Sequence, residues 1–261
     1  MGVDMPRITP KETPDKRPVV SWSSGKEVLG TDRLFKGFFV DVGLDEKLDA
    51  AAEAAGWEQG ELSHLDGETR THWLMPTPTP FFVLIQGIPF TNMPALVKTD
   101  VSYSGLKAYW PKDGRSVLAF QALHPDLLAA GYQEPLPVSV KSTSTDDLLA
   151  ALLKHNAVLD ACEAAAAKKG TARTFEFWEV AVPFGAGTKV ARGKELQSPI
   201  SPIVCTHPAQ PDVAYLRKLL APKLVADIVQ QAWPQITSWA ADRGQLRSDN
   251  AEPVGMSGNG R

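Results

Sequence analysis

A strand-rich stretch is interrupted once, by a long Ala- and Leu-rich helix, and that single interruption constrains the fold more than any other feature. The helix starts at Ser144-Thr-Asp-Asp-Leu-Leu-Ala-Ala-Leu-Leu and runs to Lys169, where Gly170 stops it. Ser144 and Asp147 are spaced as a capping box, and Leu148, Leu149, Leu152, Leu153 and Leu159 supply an apolar face. About 25 residues at 1.5 Å each span roughly 37 Å. Three strands are expected before it: a strand-like stretch in two pieces, Asp100 to Ser104 and Leu106 to Trp110, then Ser116 to Leu123 and Pro137 to Lys141. A turn at Pro111-Lys-Asp-Gly114 joins the first two. Two are expected after it: Thr174 to Val182 and Ser201 to Thr206, with a turn at Phe184-Gly-Ala-Gly187 between them.

The residues before this block read β-α-β-β-β. Phe35 to Val42 is a strand. Leu44 to Ala55 is a short helix with Leu44, Leu48, Ala51 and Ala55 on one face and Gly56 as its stop. Glu61–Leu65 and Arg70–Leu74 form a hairpin closed by Asp66-Gly67, a favoured two-residue turn. Pro80 to Gln86 is a buried strand. Beyond the block, Asp212 caps a helix over Val213–Leu220. Pro222 opens a second, whose stripe of Leu224, Val225, Ile228, Val229, Ala232, Ile236 and Trp239 is interrupted by Pro234. The chain therefore divides into an arm (1–20), an N-terminal β-α-β part (21–96), a strand-helix-strand domain (97–206), C-terminal helices (207–243) and a Gly-, Ser- and Asn-rich tail (244–261). The Pro-rich arm and the tail carry too little apolar surface to repay ordering and are expected to be mobile.

The order β-β-β-α-β-β over residues 97–206 resembles the OB class. The fold expected is accordingly α+β: an OB-like antiparallel barrel, extended by the N-terminal part and covered by the C-terminal helices. That resemblance implies oligonucleotide or oligosaccharide ligands, although a fold does not fix a function.

Charge limits what such a domain can bind. The chain carries 27 basic and 30 acidic residues, a net of −3, so no global pull toward nucleic acid or membrane exists. Residues 1–97 hold 9 basic and 14 acidic groups, residues 98–206 hold 12 and 11, and residues 207–261 hold 6 and 5. A nucleic-acid face must then be a local patch in the second half. There Lys107, Tyr109, Trp110, Lys112, Arg115, Lys141, Arg173 and Trp178 interleave aromatic and basic side chains. Single-strand binders stack bases on aromatics and track phosphates with a basic groove. Glu176 and Glu179 oppose such a face on their own segment. Sequence-tolerant, non-catalytic binding of single-stranded nucleic acid is the leading expectation. The alternative is an adaptor or phage-type structural protein that self-associates through Leu224, Ile228 and Trp239.

Enzyme signatures are weak. Gly185-Ala-Gly187-Thr-Lys189 lacks phosphate-loop spacing, and Ser23-Ser-Gly-Lys26 fails likewise. No Gly-x-Ser-x-Gly elbow exists. His155 and Cys162 fall two turns apart on the long helix with nothing near to lower the thiol pKa. His64 and His72, near Asp66 and Glu68, are the one candidate metal pair, and a metal-dependent enzyme is the third reading. With a turn at Asp66-Gly67, however, His64 faces Thr69 and His72 faces Glu61, so the two are not cross-strand partners. No metal and no cofactor are expected. Cys162 and Cys205 cannot make a disulfide framework and read as small buried hydrophobes in a reducing compartment. No run approaches 18 apolar residues, and the polar N-terminus does not read as a secretory signal, so a cytoplasmic protein without membrane contact is expected.

Overall fold

The computed structural model describes residues 18–64, 67–84, 107–109, 116–141, 144–168, 170, 173–192 and 198–248. It is a mixed α+β structure built on one large, mostly antiparallel sheet. Strands β1 (Val20–Glu27), β2 (Leu34–Asp41), β3 (Glu58–Ser63), β4 (Thr69–Leu74) and β5 (Thr79–Leu84) come from the N-terminal part. Strands β6 (Lys107–Tyr109), β7 (Ser116–Leu123), β8 (Leu136–Lys141), β9 (Val182–Ala186) and β12 (Ile203–Cys205) come from the second. Their order is β12-β9-β5-β7-β8-β1-β2-β4-β3, with β6 added beside β7. Only β1 and β8 run parallel among these pairs. Strands β10 (Val190–Arg192) and β11 (Ser198–Ile200) form a separate ribbon.

The path is open: the described strands do not close into a barrel. The expected OB-like barrel over residues 97–206 is corrected on a second count, because β5 lies between β9 and β7 and β1 lies beside β8. Strands from both expected parts share this sheet. They also share one core, which runs from Val20 to Cys205. The sheet curls strongly, since Phe38 on β2 meets Phe81 on β5 and Phe184 on β9 edge to face at 5.3 and 5.7 Å.

Helix α1 (Glu46–Ala54) is set by Asp45, whose side chain accepts from the amides of Lys47 and Leu48, and it ends at Gly56 with φ +72°. Helix α2 (Pro125–Ala129) is a short turn that the sequence pattern does not announce; His124 caps it. Helix α3 (Ser144–Lys168) lies where expected, with Leu148, Leu149, Leu152 and Leu159 buried. Helices α4 (Val213–Leu219) and α5 (Lys223–Ser248) follow, with Pro234 inside α5. The helix carries five residues past the expected start of the tail at 244. Val225, Ile228, Val229 and Ile236 of α5 cover Phe82, Leu84 and Leu123 on the outer face of the sheet. None of the described helices is long and apolar enough to cross a membrane.

Three local expectations are corrected. Strand β1 was not anticipated: it is Ser-rich and polar, and it is broken by a bulge between Ser24 and Lys26, with Gly25 at φ +137°. The strand expected over Thr174–Val182 is instead an irregular segment, then a 3-10 turn at Phe177–Glu179. The pairing falls one segment later, and the turn expected at Phe184–Gly187 is mostly strand, with Phe184 fully buried in β9. Finally, the β3–β4 hairpin pairs Ser63 with Thr69, and the His64 amide donates to the Glu68 carbonyl. Three residues therefore close the loop rather than two, with Gly67 at φ +82°. That single extra residue shifts the register, so His72 faces Gly60 and not Glu61.

Candidate functional site

All five histidines of the chain lie among the described residues, and four of them meet in two pairs. The first pair corrects the sequence expectation. His64 and His72 do touch, with their Nε2 atoms 2.8 Å apart. His72 is wholly buried, and its Nδ1 lies 2.9 Å from Asp41 Oδ1 on β2. The contact departs from ideal N–H alignment, yet it acts on Asp41 first as hydrogen bonding from the imidazole and only second through charge. It holds the Asp41 carboxyl below the ordinary carboxylate range. The Lys26 ammonium donates to His64 Nδ1 at 3.4 Å. Proton placement follows: His64 carries its hydrogen on Nε2 and donates it to His72, whose own hydrogen sits on Nδ1 toward Asp41. Both imidazoles are spoken for, and the order is cation, ring, ring, carboxylate.

The second pair is deeper. On α3 the stripe Leu148, Leu152, His155, Leu159 repeats at helical spacing, and this places His155 in the core with no exposed surface. Its Nδ1 lies 2.7 Å from Nε2 of His207, and the two rings stack with planes 16° apart. His207 follows β12. Thr206 anchors that segment by donating its amide and its hydroxyl to the Pro183 carbonyl, at 2.9 and 3.2 Å. Lys154, next to His155 on α3, donates its ammonium to the carbonyls of Cys205 at 2.9 Å and His207 at 3.3 Å. The Tyr215 hydroxyl on α4 meets His207 Nδ1 at 3.1 Å. Cys205 completes the group: one ligand atom from each of His155, Cys205 and His207 lies within 4.8 Å of the others, and all three residues are buried.

Burial sets the protonation of this group. It pushes the His155 pKa down to about 3, and the neighbouring His207 adds to the effect. It pushes His207 to about 4, helped by the Lys154 charge, and it raises the Cys205 thiol. Both imidazoles are neutral at pH 7. His155 Nε2 is buried with no partner, and a bare lone pair is cheaper to leave there than an N–H. His155 therefore donates from Nδ1 to His207, which donates from its own Nδ1 to Tyr215. Sequence reasoning considered His155 and Cys205 separately and missed His207. The available signal was Cys205-Thr-His207, an alternate-residue spacing that puts both side chains on one side of an extended segment.

The residues expected to bind nucleic acid are dispersed. Lys107 and Tyr109 lie on β6, in register with Leu118 and Ser116 of β7. Lys141 lies on β8, in register with Val117 of β7. Trp110, Lys112 and Arg115 lie outside the described residues. Arg173 is not on a strand; its guanidinium sits 4.4 Å from the Phe175 ring and 3.3 Å from the Glu179 carboxylate. Trp178 is half-buried against the cluster formed by α5 and the outer sheet face. The stripe expected to self-associate is partly consumed in the same place: Ile228 is buried there, and Leu224 is exposed.

Comparison of the chain with protein-family models, curated proteins and solved structures found no match. The class that can be stated is structural: an α+β protein with an open, curled, mostly antiparallel sheet and a buried histidine-cysteine group where α3, β12 and α4 converge.

Proposed function

We propose that the protein binds single-stranded nucleic acid without catalysing a reaction, through the region of β6, β7 and β8. The observation that carries this reading is adjacency. Lys107 and Tyr109 of β6 lie in register with Leu118 and Ser116, two residues apart on β7, and so fall on one face of the sheet; Lys141 of β8, in register with Val117, falls on the other. Trp110, Lys112 and Arg115 belong to the connection between β6 and β7. Stacking on Tyr109 and Trp110 and phosphate contacts from the basic residues would give sequence-tolerant binding. This reading uses the OB-like strand trio and does not need a closed barrel. It drops Trp178, which is committed to the helix cluster, and Lys141, which falls on the other face, and gives little weight to Arg173, whose charge is paired. Two free cysteines suit a cytoplasmic setting, which belongs to the same proposal.

The test is binding of a fluorescent single-stranded oligonucleotide at 50 and 200 mM salt, with duplex DNA as the comparison. The expected result is single-strand binding that weakens steeply with salt. Lys107→Ala should lower the salt slope by roughly 0.7, and Lys141→Ala, on the other face, should leave it unchanged. Absence of binding at the lower salt ends the reading.

A further inference from the structure

We propose that His155, Cys205 and His207 form a binding site for one zinc ion, which ties α3 to the segment after β12. Three observations carry it. The donor set is the first: two imidazoles and one thiol from two distant segments, gathered within 4.8 Å. Zinc prefers nitrogen and sulfur donors of this kind. The size of the triangle is the second. Zinc bonds of 2.0–2.1 Å to nitrogen and 2.3 Å to sulfur, at tetrahedral angles, need about 3.3 Å between nitrogens and about 3.6 Å between nitrogen and sulfur. The imidazole edge must open from 2.7 Å by roughly 0.6 Å, and no edge must close by more than about 1.2 Å. Side-chain rotation covers both. The third is the outer support. His207 already donates Nδ1–H to Tyr215, which fixes the ring so that the Nε2 lone pair, which accepts from His155 in the metal-free state, is the one a metal would take.

The metal-free arrangement is the hydrogen-bonded imidazole pair. Zinc replaces the shared proton: the Nδ1 proton of His155 moves to Nε2, and the Cys205 thiol loses its proton to solvent, so binding releases one proton net. The moved proton faces no oxygen acceptor and Lys154 stands close, so affinity should be weaker than in closed four-ligand sites.

The experiment titrates zinc into the full chain against a chromophoric chelator, and repeats it with cobalt as a spectroscopic probe. The expected result is one equivalent bound, with a thiolate-to-cobalt absorption band. Cys205→Ser should abolish that band and weaken zinc binding at least tenfold. His207→Gln should do the same, and Cys162→Ser should change neither. Circular dichroism on each variant separates lost binding from lost folding. Should Cys205→Ser fail to fold, Tyr215→Phe gives the second reading: it keeps all three donors and should weaken zinc several-fold. No bound zinc in the folded wild-type chain, or cobalt bound without a thiolate band, overturns the proposal.

Discussion

His124 offers the sharpest test of how burial governs charge in this protein. It follows β7 and caps α2, accepting the Asp126 amide at Nδ1, 3.2 Å away. Its proton must then sit on Nε2, which is buried with no hydrogen-bond partner, between the rings of Trp57 and Phe81 at 4.9 and 5.4 Å. Burial pushes its pKa down to about 3 from an ordinary 6.5. The nearest carboxylate oxygen, on half-exposed Asp126, is 3.9 Å from the ring and too screened to offset this. Between pH 6.5 and 3 the unfolded chain holds a proton here that the folded chain does not. Stability is thus complete above about pH 6.5 and falls as pH drops through that window. At pH 5 the loss is 1.36 kcal/mol per unit over 1.5 units, about 2 kcal/mol from this one residue. His124→Asn keeps an acceptor near the Nδ1 position and removes the titration. At pH 7 the variant should be less stable by roughly 2–4 kcal/mol through lost packing. At pH 5 that deficit should shrink by about 2 kcal/mol. Urea unfolding followed by circular dichroism at both pH values measures the difference. An unchanged deficit would refute the argument, since it would mean the ring titrates alike in both states; a deficit that grows would mean the folded ring holds its proton.

Two further perturbations probe the packing. Phe184 is fully buried on β9, where it touches Phe38 and Phe81 across the curled sheet, so Phe184→Ala should cost about 3–5 kcal/mol in chemical denaturation. A loss below about 1.5 kcal/mol would mean the two sides of the sheet do not meet there. Asp49 accepts the Trp73 indole N–H at 2.7 Å and the Gly43 amide at 2.9 Å. Asp49→Ala strands the indole donor of a buried tryptophan and should cost roughly 1–3 kcal/mol, with a change in tryptophan emission as the folded-state signature.

What the sequence revealed tracks how local each determinant is. The long helix was legible because its Leu spacing, its capping residues and Gly170 all lie within the element itself. Helix α1 was legible for the same reason. Strand β1 was not, because its Ser-rich pattern makes sense only beside β2 and β8. There Ser23 donates its hydroxyl to the Phe35 carbonyl at 2.8 Å and accepts the Lys26 amide at 3.0 Å. Phe175 to Trp178 misled in the opposite direction. Aromatic density suggests a strand, yet Trp178 packs against the cluster that Phe82, Leu84 and Leu123 of the sheet share with α5, partners far away in the chain.

The histidines show the same division at the level of the site. The meeting of His64 and His72 turned on one residue of loop length, a local quantity that the Asp66-Gly67 dipeptide misstates. The meeting of His155 and His207 turned on a separation of 52 residues and could not be inferred from spacing. It depends on α3 crossing the sheet to reach β12, and that placement is fixed by Leu148, Leu152 and Leu159 in the same stripe as His155. An apolar stripe thus supplies the force that buries an imidazole, and burial supplies the neutral state that lets it share a proton with its partner. The Leu residues are therefore as much a part of this site as the histidines. A substitution such as Leu152→Ala, far in kind from any metal donor, acts on the same geometry as His155 itself.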